Sequence, residues 1–381
     1  MAAAIPCKVF LLCSGLGRVN RGYETFTREC FDALRVAPGL EVRLFKGGGV
    51  EADNETVLWN LPRARLPARL LGQLVPRRGA YFIEQFTFFM SFRRHLLAHW
   101  PDVVYFSDGN LGNLLWHWRR KSGLRYRLLF SNGGPLSPPF PRWDLVQQVA
   151  SPYFEAARQA GQPDDQQVLL PYGFAIPNIL PERTPADIEK VRVKLGLPVG
   201  RPVVLSVGAL NASHKRMDYL VREVAARRSP LPFLVLLGQP DAESPSIAAL
   251  AEQLLGIGNF LIRSVSPTEV GDYYAAADVF VLASFHEGFG RVFVEALARG
   301  LPCLAHDYAV AREVLAETGF FGDFRAPGAL AGLLAGALAS GNDEAARRTR
   351  HRSAHARFSW DVLAGQYVQM LRDCAALEPI V

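Results

Sequence analysis

The sequence alternates between short apolar runs and longer amphipathic stretches, and it does so in two successive series. Runs rich in β-branched and aromatic residues lie at 8–13, 42–45, 103–106, 126–130 and 168–170, and again at 203–207, 233–237, 259–262, 279–283 and 303–305. Short strands separated by helix-length segments are typical of parallel sheets covered by helices. The pattern therefore predicts an α/β protein with two parallel sheets.

A proline-rich segment near residues 175–190 separates the two series. Because 381 residues most economically form two domains, we place an N-terminal domain at 1–182 and a C-terminal domain at 183–357. Apolar residues recur at helical spacing in the last stretch, at Trp360, Leu363, Tyr367 and Met370. We expect 358–381 to form a helix that docks back onto the N-terminal domain.

Charge and cysteine content exclude several classes of protein. Lysine and arginine number 42 against 36 acidic residues, and this small, diffuse excess does not predict a nucleic-acid partner. The five cysteines lack the spacing of a zinc site or disulfide framework, which favours a reducing cytoplasm. The N-terminal apolar run lacks a basic stretch before it, and no segment is apolar for the length of a membrane span, so we interpret the run as a buried strand.

The strongest motif is ASFHEGFGRVFVEALARG, residues 283–300. A strand leads into a loop with Glu287, Gly288 and Gly290, and a helix carrying Glu295 follows. Glycines allow close approach of a ligand, and the amides at a helix start favour phosphate. The two glutamates, ~12 Å apart along a helix, can reach hydroxyl groups at both ends of a sugar nucleotide. The alternative is an acidic turn followed by a solvated helix glutamate; the motif favours the ligand site.

A second motif, SVGALNASHKRMDYLV, spans residues 206–221. A buried strand ends at Gly208, and a polar loop delivers His214, Lys215 and Arg216 to a helix start. Basic side chains beside a helix N-terminus bind anions. A solvated basic turn is the alternative, but ligands of open α/β sheets bind at the carboxyl ends of strands, which favours an anion site.

These two motifs, with the ADVFVLAS strand and the VLLPYGF junction, resemble retaining family-four glycosyltransferases of the GT-B fold. The resemblance covers the second half well and the first half loosely. It implies two Rossmann-like domains with parallel sheets facing across a cleft, the first binding the acceptor and the second the nucleotide-sugar donor. It also implies retaining, hexosyltransferase-type transfer from a nucleotide-diphosphate sugar without cofactor or metal. The acceptor is not identified, and lipid-linked and polysaccharide precursors are among the candidates.

The resemblance also assigns roles to the motif residues. Glu287 is expected to contact the donor sugar, Glu295 the ribose, and Lys215 the diphosphate. The further donor-binding residues that it implies are Gly208, Arg216, Gly288, Phe289 and Gly290.

Two positions depart from the family pattern. Ala209 stands where relatives often carry an arginine, and we hypothesise that Arg216 or His214 supplies the charge. Asn132, at the end of a strand, stands where many relatives carry a histidine that faces the reacting sugar. Asparagine can bond a hydroxyl or a phosphate but cannot act as a general base, and we retain Asn132 as a catalytic candidate with Glu287 and Lys215. A nucleotide-sugar epimerase and a non-catalytic nucleotide-sugar-binding protein stay open as alternatives.

The first half contributes two further candidate sites. Gly15 and Gly17 follow the first strand, and Asn20 occupies the third-glycine position of a dinucleotide fingerprint, which weakens an NAD interpretation. The loop is similar to the family's N-terminal glycine loop, expected to lie over the donor phosphate, although a tight turn explains Gly15 equally well. Asp108, after another strand, is either an acceptor-side group or a helix N-cap.

Residues 63–94 combine arginines with aromatic residues and contain one acid, Glu84. This composition suits an anionic lipid surface, and it predicts peripheral contact with the inner face of the membrane. The alternative is a core helix with solvated arginines, since aromatic residues at helical spacing more often belong to a core. The arginines are Arg63, Arg65, Arg69, Arg77, Arg78, Arg93 and Arg94.

Overall fold

The computed structural model describes residues 6–19, 21–75, 79–134, 136–227, 231–341 and 343–380. The described chain forms two compact units, Met1–Ala175 with Trp360–Val381, and Ile176–Ser359. The boundary lies earlier than the 182/183 position placed from the sequence. Arg183 fixes the start of the predicted second domain to the second unit, because its guanidinium donates to the carbonyl oxygens of Ala275 (3.2 Å) and Ala277 (2.5 Å).

The described strands of the first unit form one parallel sheet with the order β3-β2-β1-β4-β5-β6-β7. The strands are β1 (Cys7–Cys13), β2 (Leu40–Lys46), β3 (Glu55–Val57), β4 (Val103–Phe106), β5 (Arg127–Asn132), β6 (Leu145–Gln148) and β7 (Gln167–Leu169). The helices between them are α1 (Gly22–Leu34), α2 (Leu66–Leu74), α3 (Gly79–His99), α4 (Gly109–Ser122) and α5 (Ser151–Gln159).

Helices on both faces explain why the central strands are continuously apolar. Each residue of β4 is buried, and so is β1 from Val9 onward. Alternate residues Phe10 and Leu12 join a core with Phe92 of α3, while Phe26 of α1 lies edge-on to Tyr105 with ring centroids 6.4 Å apart. A strand that is buried on both sides carries no polar alternation.

The described strands of the second unit form a parallel sheet with the order β10-β9-β8-β11-β12-β13. They are β8 (Val203–Val207), β9 (Phe233–Leu237), β10 (Phe260–Arg263), β11 (Val279–Leu282), β12 (Cys303–His306) and β13 (Gly319–Gly322). The helices are α6 (Pro185–Leu195), α7 (Met217–Ala225), α8 (Ser244–Leu255), α9 (Pro267–Ala276), α10 (Arg291–Ala298), α11 (Ala309–Leu315), α12 (Ala329–Gly341) and α13 (Glu344–Phe358). The strand order reverses between β8 and β11, where open α/β sheets bind ligands.

The last helix, α14 (Trp360–Ala376), belongs to the first unit. Its Tyr367 hydroxyl donates to the Pro171 carbonyl and accepts from Gln147 Nε2, both at 2.8 Å. Asp144, buried with Arg119 as an ion pair, accepts the amide of Ile380 at 2.5 Å. These bonds attach the C-terminal segment to the first sheet.

The α/β class with parallel sheets is confirmed, and three short strands were not predicted. Glu55–Val57 and Gly319–Gly322 are edge strands whose residues are only partly buried. Leu145–Gln148 is buried, yet it ends in two glutamines whose side chains are bonded internally, to Asn132 (2.9 Å) among others. Among the described residues, no helix is both long and apolar enough to cross a membrane.

Candidate functional site

Lys215 and Glu287 meet at the carboxyl edge of the second sheet. Lys215 follows β8 and Glu287 follows β11, its neighbour in the sheet. The Lys215 Nζ donates to Glu287 Oε1 at 2.5 Å, and the two side chains are only 15% and 12% exposed. The structure thus joins, in one ion pair, a residue from each of the two strongest sequence motifs.

Two side chains that sequence reasoning missed fix the loop that carries Lys215. Asn211 Oδ1 accepts the amides of Lys215 (2.8 Å) and His214 (3.3 Å). The Glu243 carboxylate accepts the amides of Ala212 (2.8 Å) and Ser213 (2.9 Å), and hydrogen bonds from Ser213 lower the pKa of Glu243. The available sequence signal was an asparagine in a turn, whose side chain often bonds amides a few residues ahead.

Gly208 leaves room for the aliphatic part of Lys215. A Cβ at this position would lie 3.1 Å from both Cδ and Cε of Lys215, which is tighter than ordinary van der Waals contact. The lysine side chain therefore crosses the end of β8 directly over a glycine backbone.

Arg216 is held within the second unit. Its guanidinium lies 4.0 Å from the ring centroid of Phe285 and 4.3 Å from that of Tyr219, and it donates to the Phe324 carbonyl at 2.9 Å. Burial lowers its pKa. Since Phe285 precedes Glu287 by two positions, Arg216 adds positive charge near the pair, while direct phosphate binding stays a prediction.

The glycine loop places the start of α10. Gly290 is the N-cap, with φ of 77°, a conformation that favours glycine. The Phe289 side chain is 4% exposed and lies edge-on to Phe358, with ring centroids 5.7 Å apart. Phe289 can therefore offer a ligand its backbone, as predicted, but not its ring. The roles of Gly288, Phe289 and Gly290 toward a diphosphate stay predictions.

Glu295 lies on α10, and its carboxylate is oriented by Tyr274. The buried Tyr274 hydroxyl donates to Glu295 Oε2 at 3.0 Å. Burial, with the negative charge of Glu295, raises the pKa of Tyr274 well above its usual value, so this hydroxyl stays a donor. Sequence reasoning missed Tyr274, because a tyrosine in an amphipathic helix ordinarily indicates core.

His306, at the end of β12, is a further polar group that sequence reasoning missed. Its imidazole is 2% exposed, stacks edge-on with Phe285 and accepts the Phe324 amide on Nδ1 at 3.1 Å. Burial lowers its pKa, so the ring is neutral at pH 7 with its proton on Nε2. A histidine closing an otherwise apolar strand was the available signal.

In the first unit, Gly15 and Gly17 form a tight turn after β1. A Cβ on Gly17, at φ of 84°, would lie 2.3 Å from the backbone of Gly48, and a Cβ on Gly15 would lie 2.3 Å from Glu24 Oε1. The turn accounts for both glycines; contact with donor phosphate stays a prediction. Asn20, the third position considered, lies outside the described residues.

Asp108 occupies the N-cap position of α4 without making a side-chain cap hydrogen bond. Burial raises its pKa to about 7, with Arg63 opposing the shift and Glu24 adding to it. Asp108 therefore lacks the hydrogen bond by which an N-cap side chain stabilises a helix. Its acceptor-side role stays a prediction.

Asn132 ends β5 with a buried side chain. Its Nδ2 donates to Gln148 Oε1, and its Oδ1 accepts the Leu136 amide, both at 2.9 Å. Both ends of the side-chain amide thus hold the first unit together locally. These bonds give Asn132 a structural role, and its catalytic role stays a prediction.

Residues 63–94 include a largely buried helix and an exposed one, and the expected membrane contact stays a prediction. Phe88, Phe89 and Phe92 of α3 are buried, and Glu84 pairs with Arg63 at 2.6 Å, as expected of a core helix. Helix α2 instead exposes several leucines. Arg77 and Arg78 lie outside the described residues.

Comparison with known proteins finds a family match within the second unit. Residues 187–354 match the family described as Glycosyl transferases group 1. A relative from Mycobacterium bovis, named D-inositol 3-phosphate glycosyltransferase, is 29% identical over 320 residues, covering 78% of this chain and 63% of the relative. The chain spans about three fifths of the length of the curated relatives it matches.

Two solved structures are similar over almost the whole chain. Sucrose-phosphate synthase from Thermosynechococcus elongatus has a TM-score of 0.78 at 20% identity, covering 96% of this chain and 98% of that one. Anabaena HepE, in complex with UDP and glucose, has a TM-score of 0.73 at 19% identity, with coverage of 96% and 99%. The resemblance noted from the motifs is confirmed, since residues 187–354 match the group 1 glycosyl transferases and the chain has the GT-B fold of its structural neighbours.

Proposed function

We propose that this protein is a retaining glycosyltransferase that moves a sugar from a nucleotide-diphosphate donor to an acceptor. The observation that carries the proposal is the Lys215–Glu287 ion pair at the switch point of the second sheet. The relatives named as glycosyltransferases and the UDP and UDP-glucose complexes of HepE support a nucleotide-sugar donor.

In the proposed donor complex the pair is exchanged for contacts with the ligand. Lys215 turns its ammonium group toward the diphosphate, and Glu287 accepts hydrogen bonds from the sugar hydroxyls. Holding both groups in place as a pair limits the reorganisation needed when the donor binds. Glu295, oriented by Tyr274, accepts hydrogen bonds from the ribose.

The ammonium group of Lys215 also suits the chemical step. As the bond between the sugar and the diphosphate breaks, the leaving group gains negative charge, which a nearby fixed cation stabilises more than it stabilises the ground state. We accordingly propose transfer that needs no metal ion, with Arg216 adding to the positive potential.

For the acceptor, we propose a lipid-linked or polysaccharide precursor bound by the first unit. The solved structure of WaaG, titled as involved in lipopolysaccharide biosynthesis, supports this class. The relatives named for D-inositol 3-phosphate make a small phosphorylated polyol the competing acceptor. Transfer assays with each acceptor class separate the two, and product NMR at the anomeric centre tests retention.

The glutamate assignments can be tested by ligand-induced thermal shifts with nucleoside diphosphates and their sugars. A ligand at 100 times its Kd adds about 2.7 kcal/mol to the stability of the native state. Glu295→Gln should reduce the shift caused by the bare diphosphate, whereas Glu287→Gln should spare it and lower sugar transfer. Glu252→Gln, on the exposed side of α8, is the matched control. Equal loss of diphosphate binding in both site variants would contradict the assignment.

Steady-state kinetics test the role of Lys215. Lys215→Ala should lower kcat by a larger factor than it raises the donor KM, and EDTA should change neither. Lys190→Ala, at an exposed position of α6, is the control. A melting curve checks that Lys215→Ala stays folded when Glu287 has lost its partner. Transfer at the parent rate without Lys215, or EDTA inactivation reversed by Mn²⁺, would overturn the mechanism. Donor isomerisation without acceptor would indicate an epimerase instead.

A further inference from the structure

Helix α2 carries its large apolar side chains on the side that faces solvent. Its buried residues are only Ala68 and Gly72. The leucines are exposed by 64% at Leu66, 53% at Leu70, 45% at Leu71 and 78% at Leu74. The usual amphipathic arrangement, with large apolar residues inward, is therefore inverted in this helix.

The small inward residues explain how α2 is held. A Cβ on Gly72 would lie 2.4 Å from the backbone nitrogen of Ala80, so the glycine lets α2 pack directly against the start of α3. Leu66, Leu70 and Leu74 repeat every four residues and form one outward stripe. Contiguous exposed apolar stripes of this kind mark interaction surfaces.

The charges beside this leucine stripe are all positive. No aspartate or glutamate occurs between Leu61 and Ile83, and Arg65 and Arg69 are both exposed. A second copy of the chain is a poor occupant, since a two-fold contact of the stripe would bring like charges together without an acid to pair them. Apolar residues beside arginines are complementary to an anionic lipid surface.

We propose that the leucine stripe of α2 docks onto an anionic lipid leaflet. The leucines enter the boundary between headgroups and acyl chains, and Arg65 and Arg69 lie at the lipid phosphates. This narrows the membrane contact expected of residues 63–94 to one helix, since the buried phenylalanines of α3 belong to the core.

Vesicle flotation without donor or acceptor tests the docking surface, so its outcome is independent of the proposed transfer activity. Phosphatidylcholine vesicles with phosphatidylglycerol should bind the protein, and those without it should bind it more weakly. Leu70→Gln with Leu74→Gln should reduce binding by about tenfold or more at any salt concentration, because burial of apolar area is lost. Arg65→Gln with Arg69→Gln should reduce it at low salt by about fivefold per arginine, and less at high salt.

Two exposed positions away from α2 provide matched controls. Val36→Gln removes a 77% exposed apolar side chain of the first unit, and Arg352→Gln removes an exposed arginine of the second. Both should bind vesicles like the parent, and circular dichroism should show unchanged melting for all variants. Absence of binding to anionic vesicles, equal binding by the leucine variant, or a dimer in sedimentation velocity that the leucine variant dissociates would overturn the proposal.

Discussion

Replacing Asp108 by asparagine should stabilise the protein at and above neutral pH and leave its stability nearly unchanged at pH 3, below the usual pKa of the carboxyl group. Burial raises the pKa of Asp108 from 3.8 to about 7, against the attraction of Arg63. Between these values the folded state keeps a proton that the unfolded state has lost. Unfolding then releases a proton, so the free energy of unfolding falls as pH rises toward 7 and levels off above it.

The size of the effect follows from the shift. A rise of roughly three pKa units corresponds to about 4 kcal/mol at 1.36 kcal/mol per unit. Asp108 is only partly buried, so solvent screens its charge and we expect about half of this, roughly 2 kcal/mol at pH 8. Asparagine keeps the shape of the side chain and cannot ionise.

Urea unfolding of the parent and Asp108→Asn from pH 3 to pH 8 measures the effect. The difference between the two proteins should be near zero at pH 3, reach roughly 0.8 kcal/mol at pH 5 and grow to about 2 kcal/mol at pH 8, because other titrating groups cancel in the comparison. Asp53→Asn, at an exposed position, is the matched control. A difference for Asp108→Asn that does not change with pH would refute the argument.

Three further outcomes are expected. Asp144→Asn leaves the buried Arg119 without its partner charge and should lower the free energy of unfolding by about 3 kcal/mol or more in urea titrations, whereas Asp53→Asn should not. Gly290→Ala forces a Cβ into a left-handed conformation, 2.8 Å from the Phe293 ring, and should lower donor affinity together with the melting temperature; an unchanged affinity would remove the loop from the binding site. Because burial raises the pKa of Cys7 to about 11 and that of the buried Cys13 further, iodoacetamide at pH 8 should label both far more slowly in native than in urea-unfolded protein, and fast native labelling of Cys13 would contradict its burial.

The sequence predicted those parts of the fold that depend on local pattern. Runs such as Val203–Val207 and Phe233–Leu237 are apolar apart from Ser206, because both faces of a central parallel strand are covered, and their bounds agree with the structure. Two of the four edge strands in the described part of the chain, Glu55–Val57 and Gly319–Gly322, escaped prediction because each is short and a strand that pairs with one neighbour needs no long apolar run.

In the candidate site, the sequence identified charged side chains and glycines that lie in loops after buried strands. Lys215 and Glu287 each stand in a loop after a buried strand, and adjacent strands bring such loops together. Glu243, Tyr274 and His306 could not be found in this way, since their roles come from contacts between elements distant in sequence. Asn132 was identified from the sequence, but its hydrogen bond to a glutamine of the next strand could not be predicted in this way.

The return of α14 to the first unit has a consequence for the order in which the protein matures during synthesis. The second unit is one continuous stretch and can fold as soon as it leaves the ribosome, whereas the first unit, although begun earlier, is completed only when α14 emerges. Until then Gln147 lacks Tyr367, and Asp144 lacks the amide of Ile380. The contacts of the second unit can thus be complete before those of the first, although the first unit is synthesised earlier.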